Sequence, residues 1–274
     1  MNPAARAFAI FRALHPFPSF LVAALTLLLI PFADRHAAAS LYAELGLGML
    51  CFQFSIGLTN DIVDVVDDAQ AKPRKPLPSG ALSRRIAVYV VVGLAVAGLL
   101  ITVPLPFGAW LIGAAGLSCG LAYDLRLKRT PLSWLPFSLA LPLIPAWVWV
   151  AARVWDGFLW WAFPLGMLLG FALHLANQAP DTGADAALGV DSAVQRLGAL
   201  RSARLATASF GLAASLGVIA VWSRSQPVAL TVAAAAAAAV AFTPWATRLF
   251  GRDGHGGLLA VASAAIAVAF LSAV

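Results

Sequence analysis

Nine stretches of this chain are almost free of charge and each is close to the length that crosses a bilayer, which leaves few architectures open. They fall at roughly 17–33, 41–59, 86–103, 107–123, 132–152, 157–176, 205–222, 227–243 and 257–273. A helix needs about 20 mainly apolar residues to span the hydrocarbon core. Inside lipid only helices and closed barrels satisfy their own backbone, and long apolar runs without alternation read as helices. Composition agrees, with 61% of residues hydrophobic and 11% charged, against roughly 45–50% apolar for a soluble domain. The expected fold is all-α and polytopic, a bundle of nine transmembrane helices around a central cavity, with 1–274 as a single domain.

Charge placement tests that drawing. With the N-terminus in the cytoplasm, fifteen of the eighteen Lys and Arg fall on the inner side, leaving Arg35, Arg153 and Arg224 outside. That is a strong positive-inside bias, which a wrong span count would scramble. Nine of the twelve acids also fall inside, all but Asp34, Glu44 and Asp156. Acids do not follow the orientation rule, so their excess predicts chemistry on the cytoplasmic face. The expected location is the inner (cell) membrane of a bacterium, with N-terminus and active site facing the cytoplasm. The basic residues sit in short loops beside spans, which suits lipid headgroups or an anionic substrate, not nucleic acid.

Residues 1–16 read as an amphipathic lead lying along the inner interface, with Arg6 and Arg12 among Phe8, Ile10 and Phe11. His15, just before Pro16-Phe17-Pro18, is expected to be interfacial with no role. Arg6 and Arg12 ahead of an apolar core, and Ala37-Ala38-Ala39-Ser40 after it, fit a cleavable leader; the segment is expected instead to be a retained span. Cys51 and Cys119 lie in apolar spans without CxxC spacing and read as small apolar fillers.

The second span runs straight into Thr59–Arg85, the most highly charged part of the chain. On a continuing helix Asp61, Asp64 and Asp68 fall at i, i+3 and i+7, one face. Three stacked carboxylates repel one another, so they call for a cation, and a hard divalent ion such as Mg²⁺ bridging to substrate phosphates fits oxygen ligands. Asp67 lies off that stripe and is left out. Lys72, Arg74 and Lys75 then follow around two prolines, which suits a loop that grips phosphate oxygens. A solvated charged face is the plainer account, but ionisable residues near membrane depth are costly and point to function.

The fourth span leaves through Tyr123-Asp124-Leu125-Arg126-Leu127-Lys128-Arg129. Taken alone this reads as an aromatic belt with positive anchors, and Asp124, like Asp191, is expected at the surface. The fifth span holds Pro136, Pro142 and Pro145, tolerated where neighbours re-satisfy freed carbonyls. The sixth ends with Asn177, Asp181 and Asp185 at i, i+4 and i+8, again one face if the helix survives Pro180 and Gly183, and again before a basic loop (Arg196, Arg201, Arg204). Two such carboxylate groups converging across a shared cavity would cage Mg²⁺ and a diphosphate. The Ala-rich spans seven to nine suit close helix packing and show no chemistry.

Asn60-Asp61-x-x-Asp64-x-x-x-Asp68, then Arg74-Lys75-Pro76-Leu77-Pro78-Ser79-Gly80, then Asp181-x-x-x-Asp185, resemble the UbiA superfamily of intramembrane prenyltransferases. The resemblance covers almost the whole chain. It implies Mg²⁺-dependent transfer of a prenyl group from an allylic diphosphate to a small-molecule acceptor, most often an aromatic ring or quinone precursor, with release of diphosphate. Carried over by position, Asn60, Asp61, Asp64, Asp68, Asp181 and Asp185 would hold the metal. Asn60, Arg74, Lys75, Arg126, Lys128 and Asn177 would contact the diphosphate, and Asp61, Asp64, Asp181, Tyr123 and Lys128 would serve catalysis. The family commonly spaces that tyrosine and lysine as YxxxK; here Tyr123 and Lys128 are five apart, so Lys128 and Arg126 both stand as candidates. The rival expectations are a membrane terpene cyclase of the same superfamily, in which the cation attacks its own chain, and a transporter using the acids for ion coupling.

Overall fold

The computed structural model describes residues 3–179, 182 and 189–222. All regular structure among them is helical: α1 (Pro3–Ala13), α2 (Pro16–Ala33), α3 (Ala39–Val63), α4 (Val65–Ala71), α5 (Arg84–Ile101), α6 (Phe107–Ala122), a π-helical turn (Tyr123–Leu127), α7 (Leu135–Ala151), a 3₁₀ turn (Gly157–Trp161), α8 (Ala162–Gln178), α9 (Ala193–Leu197) and α10 (Ala199–Trp222). Seven of the nine expected spans coincide with helices. Five of these are long and apolar enough to cross a membrane, and the expected fourth and fifth spans are the shorter α6 and α7. The expected eighth and ninth spans lie outside the described residues.

Side chains along these helices face outward in a way that water would not tolerate. Phe17, Leu28, Val92, Leu100, Phe107 and Ile219 are all more than half exposed, and a soluble chain rarely exposes so many large apolar side chains along its helices. Lipid is the solvent this surface fits.

The chain divides into two compact units, Met1–Arg126 with Ile144–Val154, and Leu127–Leu143 with Trp155 onward. In the first unit α3 is the central helix, flanked by α2, α5 and α6. Small residues let the helices close up, as lipid-embedded helices require. A Cβ on Gly48 would lie 2.6 Å from Thr102 Cγ2, and one on Gly98 would lie 2.6 Å from a Phe52 ring carbon. Ser55 Oγ adds a bond to the Val91 carbonyl, at 3.2 Å. Pro16 opens α2 at its first turn, where its missing N–H costs nothing. The residue before it, His15, takes the left-handed conformation (φ 50°, ψ 60°), one that histidine enters more readily than most residues.

The second unit pairs α8 with α10 and packs the start of α7 against α8. Gly166 and Gly170 of α8 lie against Pro142 and the Phe137 carbonyl, so close that a Cβ at either would clash. Trp134 meets Phe171 edge-on at 5.4 Å. A fully buried polar knot holds the helix ends: Ser133 Oγ bonds His174 Nε2 at 2.9 Å and accepts the Ala193 N–H at 3.3 Å. Ser192 caps α9 by accepting the Gln195 N–H, and Gln195 Nε2 donates to the Thr182 carbonyl at 2.7 Å. Asp191 is exposed, as expected, in a two-point pair with Arg196.

Candidate active site

The helix expected to carry Asp61, Asp64 and Asp68 on one face does not run through. It ends at Val63, and Asp64 (φ −87°, ψ 6°) serves as both the last cap of α3 and the first of α4. Aspartate is a poor helix former, and like charges three and four residues apart add repulsion, so a break here relieves both. In the restarted helix Asp67 and Asp68 occupy the first turn, where the backbone dipole favours negative charge.

The break does not separate the outer two carboxylates. Asp61 is 2% exposed and Asp68 is 6% exposed, and both reach one ammonium. Lys75 Nζ donates to Asp61 Oδ1 at 2.8 Å and to Asp68 Oδ2 at 2.7 Å. Burial alone would lower the Lys75 pKa, but its hydrogen bonds to Asp61 and Asp68, with their charges, outweigh that and hold it above ordinary lysine. The sequence points Lys75 at phosphate oxygens; in this structure its ammonium pairs with the two acids. Arg74, its neighbour, is exposed, as is Lys72, and Asp64 is half-buried.

The loop that delivers Lys75 has its own reasons to hold shape. Leu77 and Leu82 sink into a core with Ala13, Leu58, Ile62 and Ala87. The turn closes through Ser79 N–H to the Lys75 carbonyl (3.0 Å) and Leu82 N–H to the Pro76 carbonyl (2.9 Å). Gly80 sits at φ 73°, a conformation that favours glycine, and Ser83 then caps α5. The Pro-Leu-Pro-Ser-Gly run is thus a scaffold for one lysine.

Two residues that the sequence reading set aside belong to this cluster. His15 Nε2 lies 2.9 Å from Asp61 Oδ1; an ionised carboxylate only accepts, so the imidazole donates. Asp124 is not at the surface but 2% exposed, and its Oδ1 accepts from Asn60 Nδ2 at 2.9 Å. Both links span long sequence separations, 46 and 64 residues, so no local spacing announces them. For His15 the one available hint was its seat before Pro16, at the entry to a span.

The span-four exit is also rearranged. Tyr123–Leu127 forms a π turn, which holds one residue more than an α turn and often marks functional positions. The extra residue relative to a YxxxK spacing falls in this stretch. Tyr123 is half-buried, Arg126 is exposed and Lys128 is 9% exposed. Asn177 is exposed near the end of α8. Asp181 and Asp185, and with them the expected convergence of two carboxylate groups, lie outside the described residues.

The donor set suits a hard cation. Two buried carboxylates aim oxygens at one point of positive charge, and oxygen is what Mg²⁺ selects. Among the described residues no group of three or more His, Cys, Asp and Glu side chains forms a complete metal site, so further ligands must come from elsewhere, as Mg²⁺ commonly takes them from water and phosphate.

Apolar spans that end in a buried carboxylate–ammonium cluster define a polytopic membrane protein with polar chemistry at its helix ends. The profile of the UbiA prenyltransferase family matches residues 19–256, and the chain belongs to that family. Among curated relatives, the digeranylgeranylglyceryl phosphate synthase of Methanoregula boonei is 31% identical over 168 residues, 57% of this chain and 57% of that protein. The match thus spans little more than half of that relative's length. Among solved structures, a UbiA homolog from Aeropyrum pernix K1 superposes with a TM-score of 0.75 at 17% identity, covering 92% of this chain and 96% of the other. A UbiA homolog from Archaeoglobus fulgidus bound to GPP and Mg²⁺ gives a TM-score of 0.72 at 14% identity, covering 96% and 99%. At these identities the likeness is one of fold.

Proposed function

We propose that this chain is a Mg²⁺-dependent prenyltransferase, moving a prenyl group from an allylic diphosphate to a small-molecule acceptor and releasing diphosphate. The observation that carries the reading is the pair of buried carboxylates, Asp61 and Asp68, turned toward a single cationic point in a UbiA-family chain. Support comes from the structural neighbour that binds GPP and Mg²⁺.

Asp61, Asp64 and Asp68 would hold the metal, with Asp181 and Asp185 as the further carboxylates. Bound there, Mg²⁺ would neutralise charge on the diphosphate oxygens. Lys75 and Arg74, with Lys128 or Arg126 as the further candidate, would supply cations that stabilise the charge developing on the leaving group as the allylic C–O bond breaks. The apolar spans exclude water, which would otherwise capture the allylic cation. A nucleophilic carbon or oxygen of the acceptor then forms the new bond and loses its proton. The reaction would take place on the inner side of the membrane, where the basic loops gather.

An aromatic or quinone-precursor acceptor is the first reading. A glyceryl phosphate ether acceptor is the second, favoured by the name of the 31% identical relative. Purified protein incubated with Mg²⁺, a panel of prenyl diphosphates and both acceptor classes, followed by mass spectrometry, separates the two. A hydrocarbon or terpene alcohol formed without acceptor would mark a cyclase and overturn the transferase reading. Asp64→Ala and Asp181→Ala should each abolish turnover in a folded protein; full activity in either would defeat the site assignment.

A further inference from the structure

Asp61 uses its two oxygens differently. Oδ1 takes both donors, the His15 imidazole at 2.9 Å and the Lys75 ammonium at 2.8 Å, while Oδ2 makes no hydrogen bond to any described residue. A carboxylate held by one edge has its other oxygen fixed in direction. Such orienting partners are as much a part of a metal site as the ligands themselves.

His15 is placed for this by three local features. Its backbone is left-handed, which turns the chain between α1 and α2. Pro16 then starts α2 immediately after it. Across the gap stands Gly57 of α3, where an added Cβ would come within 3.2 Å of the Leu14 carbonyl oxygen and 3.3 Å of His15 Cβ and Cδ2. The α1–α2 junction therefore rests directly on α3, one turn before Asp61. A Cβ at position 57 would press on both the Leu14 carbonyl and His15, which would have to give by a few tenths of an ångström. The imidazole remains about one-third exposed, so burial of its ring does not explain so specific a seat.

We propose that His15 is a positioning residue: by holding Asp61 Oδ1 it aims Oδ2 at the catalytic cation, and Gly57 is the residue that lets it do so. This rests on the proposed function, because it takes Asp61 as a metal ligand. The N-terminal helix α1 thereby becomes part of the site's support, although it carries none of the carboxylates.

The test is Mn²⁺ binding to purified protein in detergent, followed by electron paramagnetic resonance of free Mn²⁺, with melting temperature measured in parallel. The variants are His15→Ala, His15→Gln, Gly57→Ala and Asp61→Asn. Glutamine can place an amide N–H near the position of Nε2, whereas alanine cannot. The expected result is a rise of about 10–100-fold in Mn²⁺ dissociation constant for His15→Ala, substantial recovery in His15→Gln, and a shift in the same direction for Gly57→Ala. Unchanged affinity in His15→Ala, with Asp61→Asn weakened, overturns this inference alone. Equal losses in His15→Ala and His15→Gln, tracking a lowered melting temperature, also overturn it, since they mark a purely structural role. Failure of the unaltered protein to bind Mn²⁺, or full binding by Asp61→Asn, overturns the metal-site reading and this inference with it.

Discussion

The Asn60 side-chain amide donates to Asp124 Oδ1 at 2.9 Å, joining the end of α3 to the π turn that follows α6. This bond fixes which way Asn60 faces beside Asp61. It also gives a hydrogen-bond donor to one oxygen of an aspartate that is only 2% exposed. Asp124→Ala removes the acceptor and leaves a half-buried amide donor without it. We expect a loss of about 1–3 kcal/mol, read as a lowered melting temperature in detergent. An unchanged melting temperature would show that the bond contributes nothing.

Lys75→Met removes the ammonium shared by Asp61 and Asp68. Because Lys75 stays about one-fifth exposed, the cost should lie near the value for a charged hydrogen bond, about 1.5–3 kcal/mol. Added Mg²⁺ should raise the melting temperature of the variant more than that of the unaltered protein, since an ion that binds the folded state replaces the missing charge. Equal Mg²⁺ shifts in both would contradict this.

The same lysine sets a pH dependence. Its folded pKa lies above the ordinary 10.5 despite burial, because Asp61 and Asp68 favour the charged form. A group raised on folding contributes its full stabilisation below its unfolded value and loses it as pH rises through the folded one. The stability difference between the unaltered protein and Lys75→Met should therefore stay level from neutral pH to about 10, then shrink. Thermal melts across that range check the sign.

Lys128 and Arg126 part company in the structure. Lys128 is buried to 9% exposure while Arg126 faces outward. If the buried cation serves the leaving group, Lys128→Ala should lower turnover by about 10²-fold or more, and Arg126→Ala should leave it within a few-fold. A prenyl-transfer assay on both variants decides between them, and the reverse order would assign the role to Arg126.

Ser133→Ala tests the polar knot of the second unit. The hydroxyl serves His174 Nε2 and the Ala193 N–H at once, so its loss should destabilise by about 1–3 kcal/mol. The reading here is again the melting temperature; a neutral result would mean that the knot is ornamental.

The helices were legible because each apolar run is its own signal. Local rules account for further detail in the first unit once the helices are placed: Pro16 starts α2, Ser83 caps α5, and Gly80 takes the left-handed turn. What local rules miss is pairing across distance. His15 and Asp124 read as incidental because their partners, Asp61 and Asn60, are 46 and 64 residues away. The unbroken acidic stripe failed for a different reason. Spacing assumes that the helix continues, and the repulsion that made the stripe notable is the force that favours its interruption at Asp64. For Lys75 the sequence marks the residue and not its partner, since a cation placed to meet phosphate meets carboxylate equally well.

The backbone that carries Lys75 is seated by what lies after it, Leu77 and Leu82 set into the apolar core. Its ammonium therefore hangs from a flexible four-carbon stem whose base is set by apolar packing. Under the proposed function an arriving divalent ion would compete with that one amine for Asp61 and Asp68, and the competition would fall on a side chain rather than on a helix.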